Sequence, residues 1–322
     1  MTPGADLNGR VVVSVDTMDV HDAAPSHALD WAADWAESIG RPLTLVAPHG
    51  PSGAVDLTDR TSASFVHIAR QQAQGRLGRA HELLVRSHPA VVLAECTVRA
   101  TPGEALVAAS GRAYAVIVGI DPPRPHLRSR ARVLDLVLPY AAAPVVVVRG
   151  QGLPAAVAAP VVVGLGPGTD DRVLSFAAET ALASGRLLQV VRALPAGASA
   201  TERHGAAPGD GALDDDTRLL GEHKRMETTI AALRSRHPHV SMLVQVLIGS
   251  PIDVLADAAA GAALLVVGVG AAGPPMGTWP ERMMAAATGH RCVGRAVALR
   301  APCPVALVPR RCRPAPAGSG PA

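Results

Sequence analysis

Apolar residues recur along the chain in two alternating rhythms. Short unbroken runs, VVVSVD from Val11 to Asp16 and PVVVGLG from Pro160 to Gly166, have the continuous hydrophobicity of parallel strands buried on both faces. After a few turn residues each run gives way to a stretch with Ala, Leu and Trp or Phe at helical spacing, SHALDWAADWAESIG from Ser26 and DRVLSFAAETALASG from Asp171. A glycine, Gly40 or Gly185, closes each helical stretch as a C-terminal cap would, and another apolar run follows. The pattern predicts a βαβ unit, written twice.

The duplication continues to the end of both halves. Each half has a long helical pattern ending at His-Pro, RAHELLVRSHP and METTIAALRSRHP, which Pro89 and Pro238 terminate. Next come TVRATPGEAL and QVLIGSPIDVL, in which a proline opens a helix where its missing N–H costs nothing. Ala-rich helices then lead into YAVIVGI or ALLVVGV, and finally into AAAPVVVVR (Ala141 to Arg149) or APCPVALVP (Ala301 to Pro309). Strands alternating with helices predict an α/β protein of two tandem, doubly wound, five-stranded parallel-sheet domains. They span residues 1–150 and 158–310 and are joined through the Gly/Pro/Ala linker Gly150 to Ala159. Residues 311–322 read as a flexible tail, and Gly197 to Asp216 as a mobile loop without an apolar face.

Composition narrows the function classes. A chain of 322 residues that is 48% hydrophobic can bury two sizeable cores. With aromatics at only 2%, those cores must be built from small aliphatic side chains. The formal net charge of +3 is far from the concentrated positive field of a nucleic-acid binder. Cys96, Cys292, Cys303 and Cys312 form no CxxC pair and no zinc spacing, and His21, His27, His204 and His237 show no paired metal spacing. Cys303, between two alanine- and proline-rich steps before a strand, reads as a small core residue. The N-terminus lacks a secretory pattern, and the weakly polar stretch Val254 to Gly273 reads as helix, turn and buried strand rather than a membrane span. A cytoplasmic protein in a reducing compartment is expected, with no membrane association.

An Asp at the end of strand one, a Gly-Ser/Asp-Pro turn before the fourth helix, VVG after it and A-x-C-P-V before the last strand together resemble the universal stress protein family. The resemblance covers nearly the whole chain, twice. It implies small cytoplasmic α/β domains that pair through their last strands, here within one chain, with further homodimerisation and an unknown protein partner as options. It also implies ATP binding through the strand-end Asp and a G-x2-G-x9-G-[ST] segment, whose glycines bring backbone N–H groups to phosphate.

Mapped onto that pattern, the first half keeps Asp16 and Gly119 but has Pro122 and Ala131-Arg132 where glycine and G-[ST] are wanted. Proline has no N–H to offer phosphate. The second half replaces the Asp with Gly166 and keeps Gly268, with Arg291-Cys292 over the G-[ST] positions. It is longer between Gly268 and Cys303 than the first half is between Gly119 and Ala143. The insertion carries Pro274, Pro275, Gly277 and Trp279. Candidate nucleotide positions are therefore Asp16, Gly119, Gly268, Gly270, Gly273, Gly277, Arg291 and Cys292.

Gly268, Gly270 and Gly273 also spell GxGxxG, but after a late strand and running into Pro274-Pro275, a context that favours coincidence. Gly164 to Gly168 is a second Gly-rich turn, with Arg192 after the next strand, where it could meet a 2′-phosphate; a plain turn is the preferred reading. Arg124, Arg128, Arg130 and Arg132 in one half, and Arg291, Arg295 and Arg300 in the other, could hold phosphate or an acidic partner, although a solvated helix face is the preferred reading. Trp31 and Trp35, at i, i+4 spacing, are expected in a core or interface, and Trp279 on an exposed loop. With both nucleotide signatures incomplete, the expectation is a non-enzymatic, partner-binding stress protein without a certain cofactor. The alternative is ATP or another adenine nucleotide bound by the second domain.

Overall fold

The Val-rich runs become the strands of one ten-stranded sheet. The computed structural model describes residues 7–15, 26–50, 63–120, 130–150, 158–166, 169–195, 215–269 and 293–309. In the first half the elements are β1 (Val11–Ser14), α1 (His27–Ser38), β2 (Leu43–Pro48), α2 (Ala63–Ser87), β3 (Leu93–Val98), α3 (Pro102–Ser110), β4 (Ala115–Ile120), α4 (Arg130–Val137) and β5 (Val145–Arg149). The second half runs β6 (Val161–Leu165), α5 (Asp171–Ala183), β7 (Leu188–Leu194), α6 (Asp215–Arg236), β8 (Met242–Ile248), α7 (Pro251–Ala258), β9 (Leu264–Val269), α8 (Val293–Ala298) and β10 (Val305–Pro309).

Strand order is β3-β2-β1-β4-β5-β10-β9-β6-β7-β8. Every neighbouring pair is parallel except β5 and β10, which are antiparallel. There Val145 faces Leu307, Val146 faces Ala306 and Val147 faces Val305. Since Val146 and Ala306 hold the same place in their own strands, an approximate two-fold axis passes between them, and each half supplies the other with the strand neighbour it lacks.

Alternation along the strands feeds two apolar layers. Val11, Val13, Val161 and Val163 face α1, α2, α5 and α6, while Val12, Val116, Val162 and Leu265 face α3, α4, α7 and α8. Both layers run across the junction between halves. The helix ends obey the local signals: Gly40 and Gly185 each take φ +63°, the left-handed conformation that a C-terminal cap requires. Just after them, Arg41 and Arg186 each donate to the carbonyl near the start of the neighbouring strand, Gly9 at 3.0 Å and Ala159 at 2.8 Å. Thr101 caps α3 in a reciprocal box: its N–H donates to Glu104 Oε2 at 2.9 Å, and its hydroxyl accepts from the Glu104 N–H at 3.4 Å. The proline turns thus open the third helix of each half, α3 and α7, and not the fourth that the motif order predicts.

Four aromatic residues, Trp31, Trp35, Tyr114 and Phe176, gather where the halves meet. Trp31 stacks on Trp35 with ring centroids 5.3 Å apart, Trp35 meets Phe176 edge-on at 6.3 Å, and Tyr114 lies 5.5 Å from Phe176. The Arg41 guanidinium covers the Tyr114 ring at 3.8 Å. Trp31 and Phe176 occupy matching positions of α1 and α5, so the interface expected for the tryptophans is the contact between those helices. On the opposite layer Arg295 of α8 grips Asp135 of α4 through two bonds of 2.7 and 3.2 Å, and Arg149 donates to the Leu299 carbonyl.

Among the described residues no helix is long and apolar enough to cross a membrane. The mobile loop and flexible tail expected for Gly197 to Asp216 and residues 311–322 fall almost wholly outside the described residues.

Candidate functional site

The second half opens a crevice where its chain connections diverge. From β6 the chain crosses through α5 to β7 on one face of the sheet, and from β9 through α8 to β10 on the other, so the two connections diverge at the carboxyl ends of β6 and β9. Such a switch point is where doubly wound sheets hold ligands. The crevice encloses about 290 Å³ and is lined by Gly164, Leu165, Gly166, Thr169, Arg192, Leu255, Val267, Gly268 and Gly294 among others.

Close packing shapes its walls. A Cβ on Gly164 would come within 2.9 Å of the Leu255 side chain, and one on Gly294 within 2.8 Å of Val269. Gly268 and its first-half counterpart Gly119 serve their helices in the same manner. A Cβ on Gly119 would sit 2.7 Å from the Ala28 Cβ, and one on Gly268 3.1 Å from Val173. Ala28 and Val173 are equivalent positions near the starts of α1 and α5. The first glycine of the nucleotide pattern therefore has a packing duty in both halves, and Gly268 adds to it a place in the crevice wall. Gly166 differs: its backbone is outside the left-handed region, and among the described residues a Cβ there would meet nothing closer than Thr169 Oγ1 at 3.8 Å.

The polar side chains in the crevice are held by the protein itself. Thr169 accepts the Gly166 N–H at 2.7 Å and donates to the Gly166 carbonyl at 2.9 Å, closing the turn after β6. Arg192 lies within β7, which runs on to Leu194, rather than after the strand as expected. It donates through Nη1 to the Leu165 carbonyl at 3.1 Å and through Nε to Glu222 of α6 at 2.8 Å. The Arg192 and Glu222 side chains are each only 14% exposed, and Arg225 reaches the second Glu222 oxygen at 3.3 Å. Register makes Ala47 the counterpart of Arg192, since Ala47 follows Val46 in β2 as Arg192 follows Val191 in β7. The pair therefore belongs to the second half alone.

Of the sequence-derived positions, the structure places Gly268 in the crevice and Gly119 at the matching strand end. Asp16, Gly270, Gly273, Gly277, Arg291 and Cys292 lie outside the described residues, as does Trp279. Arg295 pairs with Asp135, and Arg300 with Asp253 at 3.1 Å. Cys303 is a buried core thiol whose pKa burial pushes up to about 12. Sequence reasoning overlooked Glu222, since its importance depends on a strand residue 30 positions away. It also passed over His88, a buried side chain whose ring nitrogens lie 2.8 Å from Asp30 and 3.3 Å from Asp34 and tie the end of α2 to α1. Burial raises the Asp34 carboxyl above its ordinary value, with His88 pulling the other way.

Fold and crevice define a tandem doubly wound α/β protein whose halves pair through their last strands, with a ligand-sized opening at the switch point of the second. That architecture is the tandem universal stress protein fold. A universal stress protein of Archaeoglobus fulgidus DSM 4304 superposes over 94% of this chain and 98% of its own, with a TM-score of 0.62 at 15% identity. A structure from Pseudomonas aeruginosa UCBPP-PA14, assigned to the same proteins, covers 95% of both chains with a TM-score of 0.52 at 12% identity. A functionally unknown protein of Pseudomonas aeruginosa PAO1 covers 93% of this chain and 92% of its own, with a TM-score of 0.51 at 11% identity. No family profile matches the sequence, and no curated protein is significantly similar to it.

Proposed function

We propose that this chain is a non-enzymatic, cytoplasmic regulatory protein of the universal stress type, acting through what it binds. Its halves form a fixed internal dimer, its output is contact with a partner protein, and small-molecule recognition falls to the second half. The observation that carries this reading is the internal commitment of the crevice polar groups. Arg192 is tied to Glu222 and to a backbone carbonyl, and Thr169 is tied to Gly166. Groups so engaged orient and hold a ligand, whereas acid–base or nucleophilic work needs a group poised to exchange a proton or attack. The test is to incubate the purified full-length protein with ATP and Mg²⁺ and follow the nucleotide by chromatography. Intact nucleotide is expected; turnover that disappears on altering Arg192 would overturn the assignment.

A second reading, an adenine nucleotide as the ligand, is favoured by the location of the crevice at the switch point and by glycines on its walls. Its volume lies at the lower end of the roughly 300–1,000 Å³ usual for ligand pockets, enough for a nucleoside-sized group. Titration calorimetry is expected to give micromolar binding of an adenine nucleotide. Acid extraction of the purified protein followed by mass spectrometry would identify any nucleotide it carries.

A further inference from the structure

The two halves differ in the residues that follow the first strand and stand on the second. In sequence, Asp16 follows β1 and Ala47 stands on β2, whereas Gly166 directly follows β6 and Arg192 stands on β7. In doubly wound nucleotide-binding folds a carboxylate accepts a hydrogen bond from a ribose hydroxyl, and an arginine nearby accommodates a ribose phosphate. A guanidinium has only donors and matches phosphate or carboxylate oxygens.

We infer that the second-half crevice recognises a nucleotide carrying a phosphate on its ribose ring, at the 2′ or 3′ oxygen, with Arg192 as the phosphate-binding residue. The inference rests on the adenine-nucleotide reading and specifies which member of that class fits.

Three features of the site support it. First, Arg192 is positioned before any ligand arrives: its Nε and Nη1 bonds to Glu222 and Leu165 hold the guanidinium against β6, at the point where the chain enters Gly166. Among the described residues these two bonds use two of its five N–H groups, and the side chain lines the crevice. Second, the local charge favours an anion. Glu222 is shared by Arg192 and Arg225, so two guanidinium groups face one carboxylate. Third, among the described residues glycine at position 166 answers no backbone or packing demand. Its φ is outside the left-handed region, and a Cβ would meet no described atom closer than Thr169 Oγ1 at 3.8 Å. Glycine instead leaves open the space beside Arg192 that an aspartate would fill with opposing charge.

Binding of adenosine 2′,5′-bisphosphate, adenosine 3′,5′-bisphosphate and 5′-AMP to the full-length protein, measured by calorimetry at constant ionic strength, tests the assignment. One of the bisphosphates is expected to bind at least tenfold more tightly than 5′-AMP. Arg192→Gln should bring that preference to within about twofold. Because R192Q strands a buried carboxylate, the double variant Arg192→Gln/Glu222→Gln provides a neutral pair and should show the same loss. Gly166→Asp should reverse the order, weakening the bisphosphates and strengthening 5′-AMP. Equal binding of all three ligands, or a preference that survives both Arg192 variants in folded protein, overturns the ribose-phosphate assignment and leaves the nucleotide reading standing. If none of the three binds and ATP does not either, the nucleotide reading itself falls.

Discussion

A methyl group added at Gly119 would lie 2.7 Å from the Ala28 Cβ, a separation side chains do not tolerate without movement of α1 against β4. Gly119→Ala is therefore expected to cost about 1–3 kcal/mol, the usual range for overpacking a tight core. At Gly166 the same methyl group meets, among the described residues, only Thr169 Oγ1 at 3.8 Å, and the φ there is outside the left-handed region. Gly166→Ala is expected to leave stability unchanged or to raise it by less than about 1 kcal/mol through a stiffer unfolded chain. Urea denaturation of both variants checks the contrast, and an equal loss at the two sites would contradict the packing role given to Gly119. The sequence singled out Gly119 and Gly268 as phosphate glycines; their contacts with Ala28 and Val173 show why glycine is needed there even without a ligand.

At the scale of elements, α1 and α5 carry the junction between halves. Trp35, Tyr114 and Phe176 form a mutually contacting group in which Trp35 and Phe176 are both buried. Phe176→Ala is expected to destabilise the chain by about 3–5 kcal/mol, because it opens a cavity beside the Trp35 and Tyr114 rings. Leu182→Ala, on the exposed side of the same helix, should stay within about 0.5 kcal/mol of the parent. Thermal melts of the pair separate loss of the aromatic contact from a general weakening of α5. The helical spacing of Trp31 and Trp35 was legible in the sequence. That they would meet Phe176 was not, since this requires α1 and α5 to lie side by side above the β5/β10 junction.

The whole molecule is organised around its approximate two-fold axis. Along it run the antiparallel β5/β10 ladder, the aromatic group on one layer and the Arg295–Asp135 pair on the other. Both ion-pair side chains are about one-third exposed, so solvent screens them, and a coupling of about 0.2–1 kcal/mol is expected, towards the upper part of that range for a two-bond geometry. Exchanging the charges, Asp135→Arg with Arg295→Asp, should recover most of the stability lost in either single variant. Denaturant titration of the three proteins measures this, and purely additive losses would show that the pair does not couple the halves.

The sequence by itself determined the tandem duplication, the alternation of strands and helices, the glycine caps at Gly40 and Gly185 and the proline starts of α3 and α7. Each depends on residues within a few positions of one another, where periodicity and backbone preference act directly. Only the tertiary structure decided that the halves merge into one sheet, that Arg295 reaches Asp135 across 160 residues, and that Arg192 and Glu222 meet beside Gly166. Those contacts follow from strand order and from which layer each helix covers, and burial of apolar surface on both faces of the sheet sets that arrangement for the chain as a whole.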